Sequence, residues 1–374
     1  MPTICLDCRY IRNRPSGIGR VVQALVDHLP GLAPDLDFRF LRHRTHPGPL
    51  STAANASDIT VGFESNGPTS MWRLPQRVDL RDVDLFHAPS NILPHGLAMP
   101  CVTTIHDLMW LDHPQWCNPG LWGQVERRFY RHGIGHALRH SNAILAVSDA
   151  TRDAIIARDS ALAERTVTAR PGVSEDFAPR PADPARLAKR GLREAGYILT
   201  VGQFAPYKNH DNALRGFARA FADREDFTLV LVQRRGSGST GLARLAASLG
   251  IADRVRFLPP MDDSELAALY HGALALLHPS LCEGFGLPLV EAMASGCPVV
   301  TSDLSAMPEV TGGAALLVDP GDTGAIAAAL HRVVEDQKLA ADLKDRGLKR
   351  AQDLRWEDFA KANLALYRRV LASP

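Results

Sequence analysis

Long apolar segments are missing from this sequence of 374 residues. No run of apolar residues approaches the roughly 20 that a membrane-spanning helix needs. The opening residues, Met-Pro-Thr-Ile-Cys-Leu-Asp, enter a predicted strand directly, without the charged and apolar segments of a signal peptide. We therefore expect a cytoplasmic protein, with at most a peripheral contact on the inner face of the cytoplasmic membrane.

Paired cysteines are also lacking. The six cysteines, at positions 5, 8, 101, 117, 282 and 297, show no spacing typical of a disulfide framework. Cys5 and Cys8 form a C-x-x-C pair, but a zinc site of this type needs a second pair of ligands. We expect buried thiols in a reducing compartment, and a structural metal is the weaker alternative.

Neither sign of charge dominates, since 42 lysines and arginines oppose 41 acids for a formal charge of +1. This balance gives no general reason to expect nucleic acid as a partner. The hydrophobic fraction of 45% and the charged fraction of 22% are those of an ordinary globular protein. At this length, two domains are the natural expectation.

The most informative stretch of the chain is residues 281–300. An apolar segment at 273–278 precedes its glycine turn and is predicted to be a buried parallel strand, and 298–302 is predicted to be the next strand. A helix between them starts near Pro288, where a missing N–H costs nothing. The N-terminus of such a helix offers N–H groups and the positive end of a dipole, which suit a phosphate.

Glycines and carboxylates surround this predicted anion site. Gly284 and Gly286 let the backbone approach a ligand without a Cβ in the way. Glu283 lies in the turn, and we place Glu291, with seven residues between the two acids, in the first turn of the helix. The stretch therefore predicts a strand–turn–helix unit that holds an anionic ligand between two acids.

This pattern resembles the E-x7-E motif of the retaining glycosyltransferases of family 4. The match includes Glu-Gly-Phe-Gly-Leu-Pro and Glu-Ala-Met-Ala-Ser-Gly-x-Pro-Val-Val, and it extends more loosely over the whole chain. The resemblance implies an α/β GT-B fold, in which two Rossmann-like domains face each other across a cleft. We place the N-terminal acceptor-binding domain at 1–177, a proline-rich linker at 178–189, the nucleotide-sugar-binding domain at 190–354, and at 355–374 a helix that packs back on the first domain.

In the second predicted domain, the resemblance assigns the donor-binding residues. Lys208 matches the diphosphate-binding lysine, Glu291 is implied to bind the ribose, and Glu283 the transferred sugar. The family usually has an arginine beside this lysine, and here Arg234 or Arg235 is a candidate replacement. The further implied donor contacts are Gln203, Met261, Gly284, Phe285, Gly286 and Leu287.

In the first predicted domain, the glycine pair Gly17 and Gly19 resembles the family's loop against donor phosphate and acceptor. A turn that requires positive φ is the alternative, and a dinucleotide fingerprint would need a third glycine. His106 follows a predicted strand and matches the histidine that contacts the donor sugar and helps to position the acceptor. The resemblance also implies an orienting or acceptor-binding role for Asp107, an acceptor contact for Arg9 and a donor contact for Ser148, which is also a plausible helix cap.

Two more segments of this half carry predictions. Residues 45–80 lack periodicity and are predicted to be surface loop. Residues 118–139 are predicted to form a basic helix with aromatic side chains, which either lies on an anionic membrane or packs its aromatics inward.

The resemblance implies a hexosyltransferase that works without a metal, because no Asp-x-Asp triplet stands at the end of a predicted strand. The closest patterns are those of bacterial mannosyltransferases of O-antigen or exopolysaccharide assembly. They favour GDP-mannose as donor, no further cofactor, and a saccharide acceptor linked to a lipid. UDP-glucose, UDP-N-acetylglucosamine, GDP-fucose and dTDP-rhamnose stay open as donors, and a sugar-nucleotide epimerase, a glycosidase or a non-catalytic binding protein stay open as functions.

Overall fold

The computed structural model describes residues 1–12, 16–118, 120–233 and 237–372. Two compact units make up the chain, one formed by Met1–Pro171 with Trp356–Pro374 and the other by Gly172–Arg355. Arg234 and Arg235, the candidate replacements for the missing arginine, lie outside the described residues. No helix in the described ranges is long and apolar enough to cross a membrane.

The first unit is built on a seven-stranded parallel sheet in the order β3-β2-β1-β4-β5-β6-β7. The four central strands, β1, β4, β5 and β6, are buried along their whole length, as is usual where helices cover both faces of a parallel sheet. Ile4 pairs with Phe38 on one side and with Leu85 on the other, so the strand order reverses beside β1. The strands are β1 Thr3–Asp7, β2 Asp37–His43, β3 Ala56–Val61, β4 Leu85–Ala88, β5 Cys101–Ile105, β6 Ala143–Ala146 and β7 Thr166–Thr168.

Helices connect most of the successive parallel strands of this unit. They are α1 Gly17–Leu32, α2 Pro68–Arg77, α3 Met109–Asp112, α4 Pro114–Cys117, α5 Leu121–His140 and α6 Asp149–Arg158. The prediction of a surface loop over residues 45–80 is wrong, because β3 and α2 lie there. The sequence hid them because β3 is a half-exposed edge strand and α2 buries only Ser70, Met71 and Leu74.

The second unit has a six-stranded parallel sheet in the order β10-β9-β8-β11-β12-β13. Its strands are β8 Tyr197–Val201, β9 Thr228–Val232, β10 Val255–Leu258, β11 Ala275–His278, β12 Val299–Ser302 and β13 Leu316–Val318. The order reverses between β8 and β11, and ligands of open parallel sheets bind in the crevice at the carboxyl ends of such a strand pair. The turn that carries Lys208 follows β8, and the loop that carries Glu283 follows β11, so both begin at this crevice. We call them the Lys208 turn and the Glu283 loop.

The helices of the second unit start with a short one inside the segment that we predicted to be a linker. They are α7 Pro184–Ala188, α8 His210–Ala220, α9 Ser237–Ser248, α10 Asp263–Gly272, α11 Leu287–Ala294, α12 Met307–Thr311, α13 Thr323–Glu335 and α14 Gln337–Gln352. A 3-10 turn at Glu175–Phe177 also belongs to this unit, since the first unit ends at Pro171.

The C-terminal helix, α15 Trp356–Ala372, belongs to the first unit and packs against α1. Phe359 and Tyr367 are buried in one apolar cluster with residues of α1 and β1. Tyr367 also places its hydroxyl 2.6 Å from Nδ1 of the buried His87, whose Nε2 is 2.8 Å from Thr104 Oγ1. His87 therefore connects the C-terminal helix to the middle of the sheet.

Candidate active site

A buried ion pair occupies the crevice of the second sheet. Lys208 Nζ lies 2.7 Å from Glu283 Oε1, and the two side chains are only 10% and 11% exposed. Burial alone would lower the pKa of Lys208, but the nearby Glu283 carboxylate raises it overall. Burial alone would raise the pKa of Glu283, but the Lys208 charge and a hydrogen bond from His278 hold it well below its usual value. Both groups are therefore charged over a wide range of pH.

Local backbone geometry brings these two residues together. Gly202 follows β8 with φ of 153°, and a Cβ on it would lie 3.2 Å from Lys208 Cε, so glycine leaves room for the lysine to cross the strand end. The Leu281 N–H donates to the Tyr207 carbonyl at 2.7 Å, which joins the Lys208 turn directly to the Glu283 loop. The sequence predicted both turns, and the sheet order makes them neighbours.

His278 is the residue of this network that sequence reasoning missed. It ends β11, and its Nε2 lies 2.9 Å from Glu283 Oε1 and 3.1 Å from Ser280 Oγ. The only signal in the sequence was a histidine closing an apolar strand, which is more often a satisfied core residue than part of a site.

Glu291 lies on α11, which begins after Gly286. It is the fifth residue of this helix, so our placement in the first turn is wrong: the helix starts at Leu287, with φ of 98° at Gly286. Glu291 is 3% exposed, and Oε2 accepts a hydrogen bond of 3.1 Å from the hydroxyl of the buried Tyr270. A tyrosine donor of this kind fixes the orientation of the carboxylate.

The N-terminus of α11 has the features of an anion-binding site. No side chain of the described residues caps it, and Gly286 stands at the cap position. The first N–H groups of a helix need acceptors, and a phosphate supplies them. Phe285, one of the predicted donor contacts, is buried beside this end, whereas Gly284 and Leu287 are partly exposed.

The other predicted donor residues of this unit lie at the sheet edge with few constraints. Gln203 is exposed and donates from Nε2 to the Tyr207 hydroxyl at 3.1 Å. Met261 is partly exposed between β10 and α10. Their roles stay predictions.

In the first unit, His106 follows β5 at the carboxyl edge of the sheet. Its Nε2 lies 3.0 Å from the Pro89 carbonyl, which accepts only, so Nε2 carries the proton and the lone pair of the neutral ring is on Nδ1. Burial lowers the pKa of His106, against the opposing effect of the Pro89 carbonyl. Its backbone N–H donates to Asn91 Oδ1 at 2.6 Å. The ring is thus a fixed, neutral hydrogen-bonding group.

Two other predicted residues here have local structural bonds. Asp107 Oδ1 accepts from the Met109 N–H at 2.9 Å, at the start of α3. Ser148 is buried and caps α6 by accepting from the Thr151 N–H at 3.0 Å, which was the alternative to donor binding. These bonds explain the residues without a ligand.

Arg9 is fully buried, which argues against the predicted acceptor contact. Its guanidinium donates to both oxygens of Asp7, at 2.8 and 2.6 Å, and to Ser70 Oγ at 2.6 Å. A buried charge needs such partners, and they occupy the groups that a ligand would use. In this structure Arg9 joins β1 to α2.

Gly17 and Gly19 form the first turn of α1, which Ser16 caps by accepting from the Gly19 N–H at 3.0 Å. Neither glycine has a positive φ, so the alternative of a left-handed turn is wrong. A Cβ on Gly19 would lie 2.7 Å from the Tyr10 carbonyl oxygen, and this close approach is the reason for glycine there. The exposed Gly17 lies at the helix N-terminus, the position suited to an anion.

The C-x-x-C pair is part of the core of the first unit. Cys5 and Cys8 are free, fully buried thiols. Burial raises the pKa of both, with Asp7 adding to the effect. Across the described ranges, no group of three or more histidine, cysteine or acidic residues is arranged to hold a metal ion.

Comparison with solved structures identifies the fold. The solved structure of Anabaena Alr3699/HepE in complex with UDP and glucose covers 99% of this chain and 100% of its own, with a TM-score of 0.73 at 18% identity. The two parallel-sheet units are those of the GT-B glycosyltransferases.

Sequence relatives give the family. Residues 15–177 match the family described as Glycosyltransferase Family 4, and residues 186–350 match Glycosyl transferases group 1. The O-antigen chain mannosyltransferase B of Escherichia coli is 33% identical over 293 residues, 76% of this chain and 74% of that protein. The D-inositol 3-phosphate glycosyltransferase of Streptomyces avermitilis is 30% identical over 302 residues, 70% of this chain and 64% of that protein. The chain belongs to glycosyltransferase family 4 and is a hexosyltransferase.

Proposed function

We propose that this protein transfers mannose from GDP-mannose, with retention of anomeric configuration, to a saccharide acceptor carried by a lipid. The pathway that we propose is bacterial O-antigen or exopolysaccharide synthesis. The observation that carries the proposal is the 33% identity to the O-antigen chain mannosyltransferase B over three quarters of both chains.

The charged crevice of the second unit supports the donor assignment. Lys208 and the N–H groups at the start of α11 are suited to the diphosphate, where they stabilise the charge that develops as it leaves. Glu291 is suited to the two ribose hydroxyls, and Glu283 to hydroxyls of the hexose. For His106 we propose a contact with the substrates through Nδ1. No metal is needed in this scheme, because Lys208 and the helix N-terminus supply the positive charge.

Transfer with retention follows from attack on the face that the diphosphate leaves. The bond between the anomeric carbon and the phosphate oxygen breaks as the bond to the acceptor oxygen forms. The acceptor hydroxyl gives its proton to the departing phosphate, so no protein nucleophile is required.

A second acceptor class is favoured by a separate observation. Several relatives are D-inositol 3-phosphate glycosyltransferases, and that of Salinispora tropica is 37% identical over 238 residues, 58% of this chain and 49% of that protein. An inositol phosphate acceptor therefore belongs in the same assay as the saccharides.

A basic surface on the first unit supports a peripheral membrane contact. Gly133 lets α5 approach α2, since a Cβ on it would lie 2.5 Å from Met71 Cε, and the Trp72 ring lies 5.9 Å from that of Phe129. Trp72 and Trp122 are 45% and 70% exposed. The exposed cations beside them are Arg73, Arg77, Arg127, Arg128 and Arg131, and the only acid on the two helices is Glu126. Anionic lipid headgroups suit such a surface.

A donor panel tests the proposal. Thermal shift with GDP-mannose, UDP-glucose, UDP-N-acetylglucosamine, GDP-fucose and dTDP-rhamnose selects the donor, and transfer to saccharide and inositol phosphate acceptors is then followed by NMR of the product. We expect GDP-mannose to give the largest shift, an α-linked product, and activity that EDTA leaves intact. Preference for another donor, an epimerised nucleotide sugar, or a loss with EDTA that Mn²⁺ restores would contradict it.

A further inference from the structure

The two carboxylate oxygens of Glu283 differ in their hydrogen bonds. Oε1 receives both of the donors in the crevice, Lys208 Nζ at 2.7 Å and His278 Nε2 at 2.9 Å. Oε2 makes no hydrogen bond to any of the described residues. One oxygen is therefore anchored, and the other is left to accept from a ligand.

His278 is a neutral, fixed donor. The residue is 2% exposed at the end of β11, where it pairs with Thr301 of β12, and its carbonyl accepts a hydrogen bond of 2.7 Å from Thr301 Oγ1. Burial lowers the pKa of His278, although the Glu283 carboxylate opposes this. Because a carboxylate oxygen only accepts, the proton of the neutral ring is on Nε2.

The two donors to Oε1 are not equivalent. Lys208 is a flexible ammonium group, and a bound diphosphate with more negative charge than a carboxylate competes for it. His278 is confined to the crevice wall by its strand and by Ser280, whose Oγ lies 3.1 Å from Nε2. When the diphosphate draws Lys208 away, His278 is the donor that stays on Glu283.

We propose that His278 is a positioning residue for the transfer reaction: it holds Glu283 Oε1 so that Oε2 points at the hexose. This inference rests on the proposed function, because it needs Glu283 to act on the transferred sugar. It assigns His278 no contact with substrate. Its effect is on the orientation and ionisation of Glu283, and therefore on turnover more than on binding of the nucleotide.

Three substitutions of His278 and one control substitution test this role. His278→Gln carries an amide nitrogen near the position of Nε2, and His278→Asn carries one nearer to Nδ1, so only the first keeps the donor to Oε1. We expect His278→Gln to stay within about threefold of wild type in kcat, and His278→Asn and His278→Leu to lose about 10- to 100-fold, the value of one hydrogen bond to a charged group. His331→Leu, at an exposed histidine of α13, is the matched control and should change nothing.

The pH profile separates positioning from a general structural defect. Loss of the His278 donor removes a bond that favours ionised Glu283, so the acid limb of kcat/KM should move to higher pH in His278→Leu and stay in place in His278→Gln. Affinity for the nucleoside diphosphate alone, measured by calorimetry, should stay within about threefold of wild type in all variants.

The outcomes are distinct. The inference would be overturned if His278→Leu and wild type had the same kcat and the same acid limb of kcat/KM. Equal losses of kcat in His278→Gln and His278→Asn would also overturn it. So would parallel losses of kcat and nucleotide affinity with an unchanged pH profile of kcat/KM. If His278→Leu does not fold, the Gln and Asn pair decides. A wild-type protein that transfers no hexose from any donor contradicts the proposed function instead.

Discussion

The polar side chains at the carboxyl edges of the two sheets differ in their bonding partners. In the second unit, the loops after β8 and β11 bring Lys208 and Glu283 into a buried, charged pair in the crevice. In the first unit, Arg9 and Ser148 are also buried, but their bonds are structural. Arg9 donates to the Asp7 carboxylate, and Ser148 caps α6 by accepting from the Thr151 N–H. His106 is the exception there, because its one ring bond leaves Nδ1 as an acceptor.

In the proposed reaction, this difference follows from the substrate group that each edge binds. A diphosphate binds where positive charge is concentrated. Burial of a charged side chain costs free energy, so such charges are buried where a ligand or a carboxylate compensates them. Saccharide hydroxyls can bond to neutral groups as well as to carboxylates, and neutral groups leave a weaker pattern in a sequence. The second unit thus carries the electrostatic part of the proposed reaction.

The largest effect that we expect comes from Glu283→Gln, which removes the charge and keeps the shape. If the second unit carries the electrostatic part, kcat should fall by about 100- to 1,000-fold. Glu335→Gln on the exposed face of α13 is the control. Hexose transfer assayed at saturating donor checks this, and a loss below tenfold would remove Glu283 from the reaction.

His106→Ala should have the next largest effect and tests the exception in the first unit. We expect kcat to fall by about 100-fold with donor affinity within about threefold, because a hydrogen-bonding group for the reacting sugar is lost. Burial lowers the pKa of His106, so any acid limb caused by its protonation in wild type lies below the ordinary histidine value. Wild-type turnover in the variant would show that His106, like Arg9 and Ser148, has only a structural role at the carboxyl edge of the first sheet.

Glu291→Ala should raise the KM for donor about tenfold or more, since the proposed acceptor for the ribose hydroxyls is lost. Tyr270→Phe should raise it less, about threefold, because it removes the hydrogen bond from the phenol to Oε2 of Glu291 and leaves the carboxyl group in place. Steady-state kinetics at varied donor concentration measures both. Unchanged donor kinetics in Glu291→Ala would remove the ribose role.

The smallest effect is on stability and concerns the first unit. Burial lowers the pKa of His87 from 6.5 to about 3. Between these two pH values the unfolded chain binds a proton that the folded chain excludes, so the free energy of unfolding falls as pH falls. His87→Gln should reduce this acid dependence by at most about 1.4 kcal/mol per pH unit in urea titrations at pH 6.5 to 4. An unchanged slope would show that His87 does not control it.

Sequence reasoning worked where motif and topology agree. Glycines and the E-x7-E spacing located the Lys208 turn and the Glu283 loop, and parallel strands bring consecutive turns to one edge. It did not reveal contacts between residues that are distant in sequence. Arg9 looked available because its partner Ser70 lies in a helix that the sequence did not reveal, and His278 looked like core because only the fold sets it against Glu283.

The central claim is that Lys208 serves the diphosphate and Glu283 the sugar. Calorimetric titration of wild type, Lys208→Met and Glu283→Gln with the nucleoside diphosphate of the preferred donor tests it most directly. We predict that Lys208→Met binds about 10- to 100-fold more weakly, whereas Glu283→Gln, freed of the competing carboxylate charge, binds as tightly as wild type or more tightly. Equal weakening in both variants, or weakening in Glu283→Gln alone, would contradict the account.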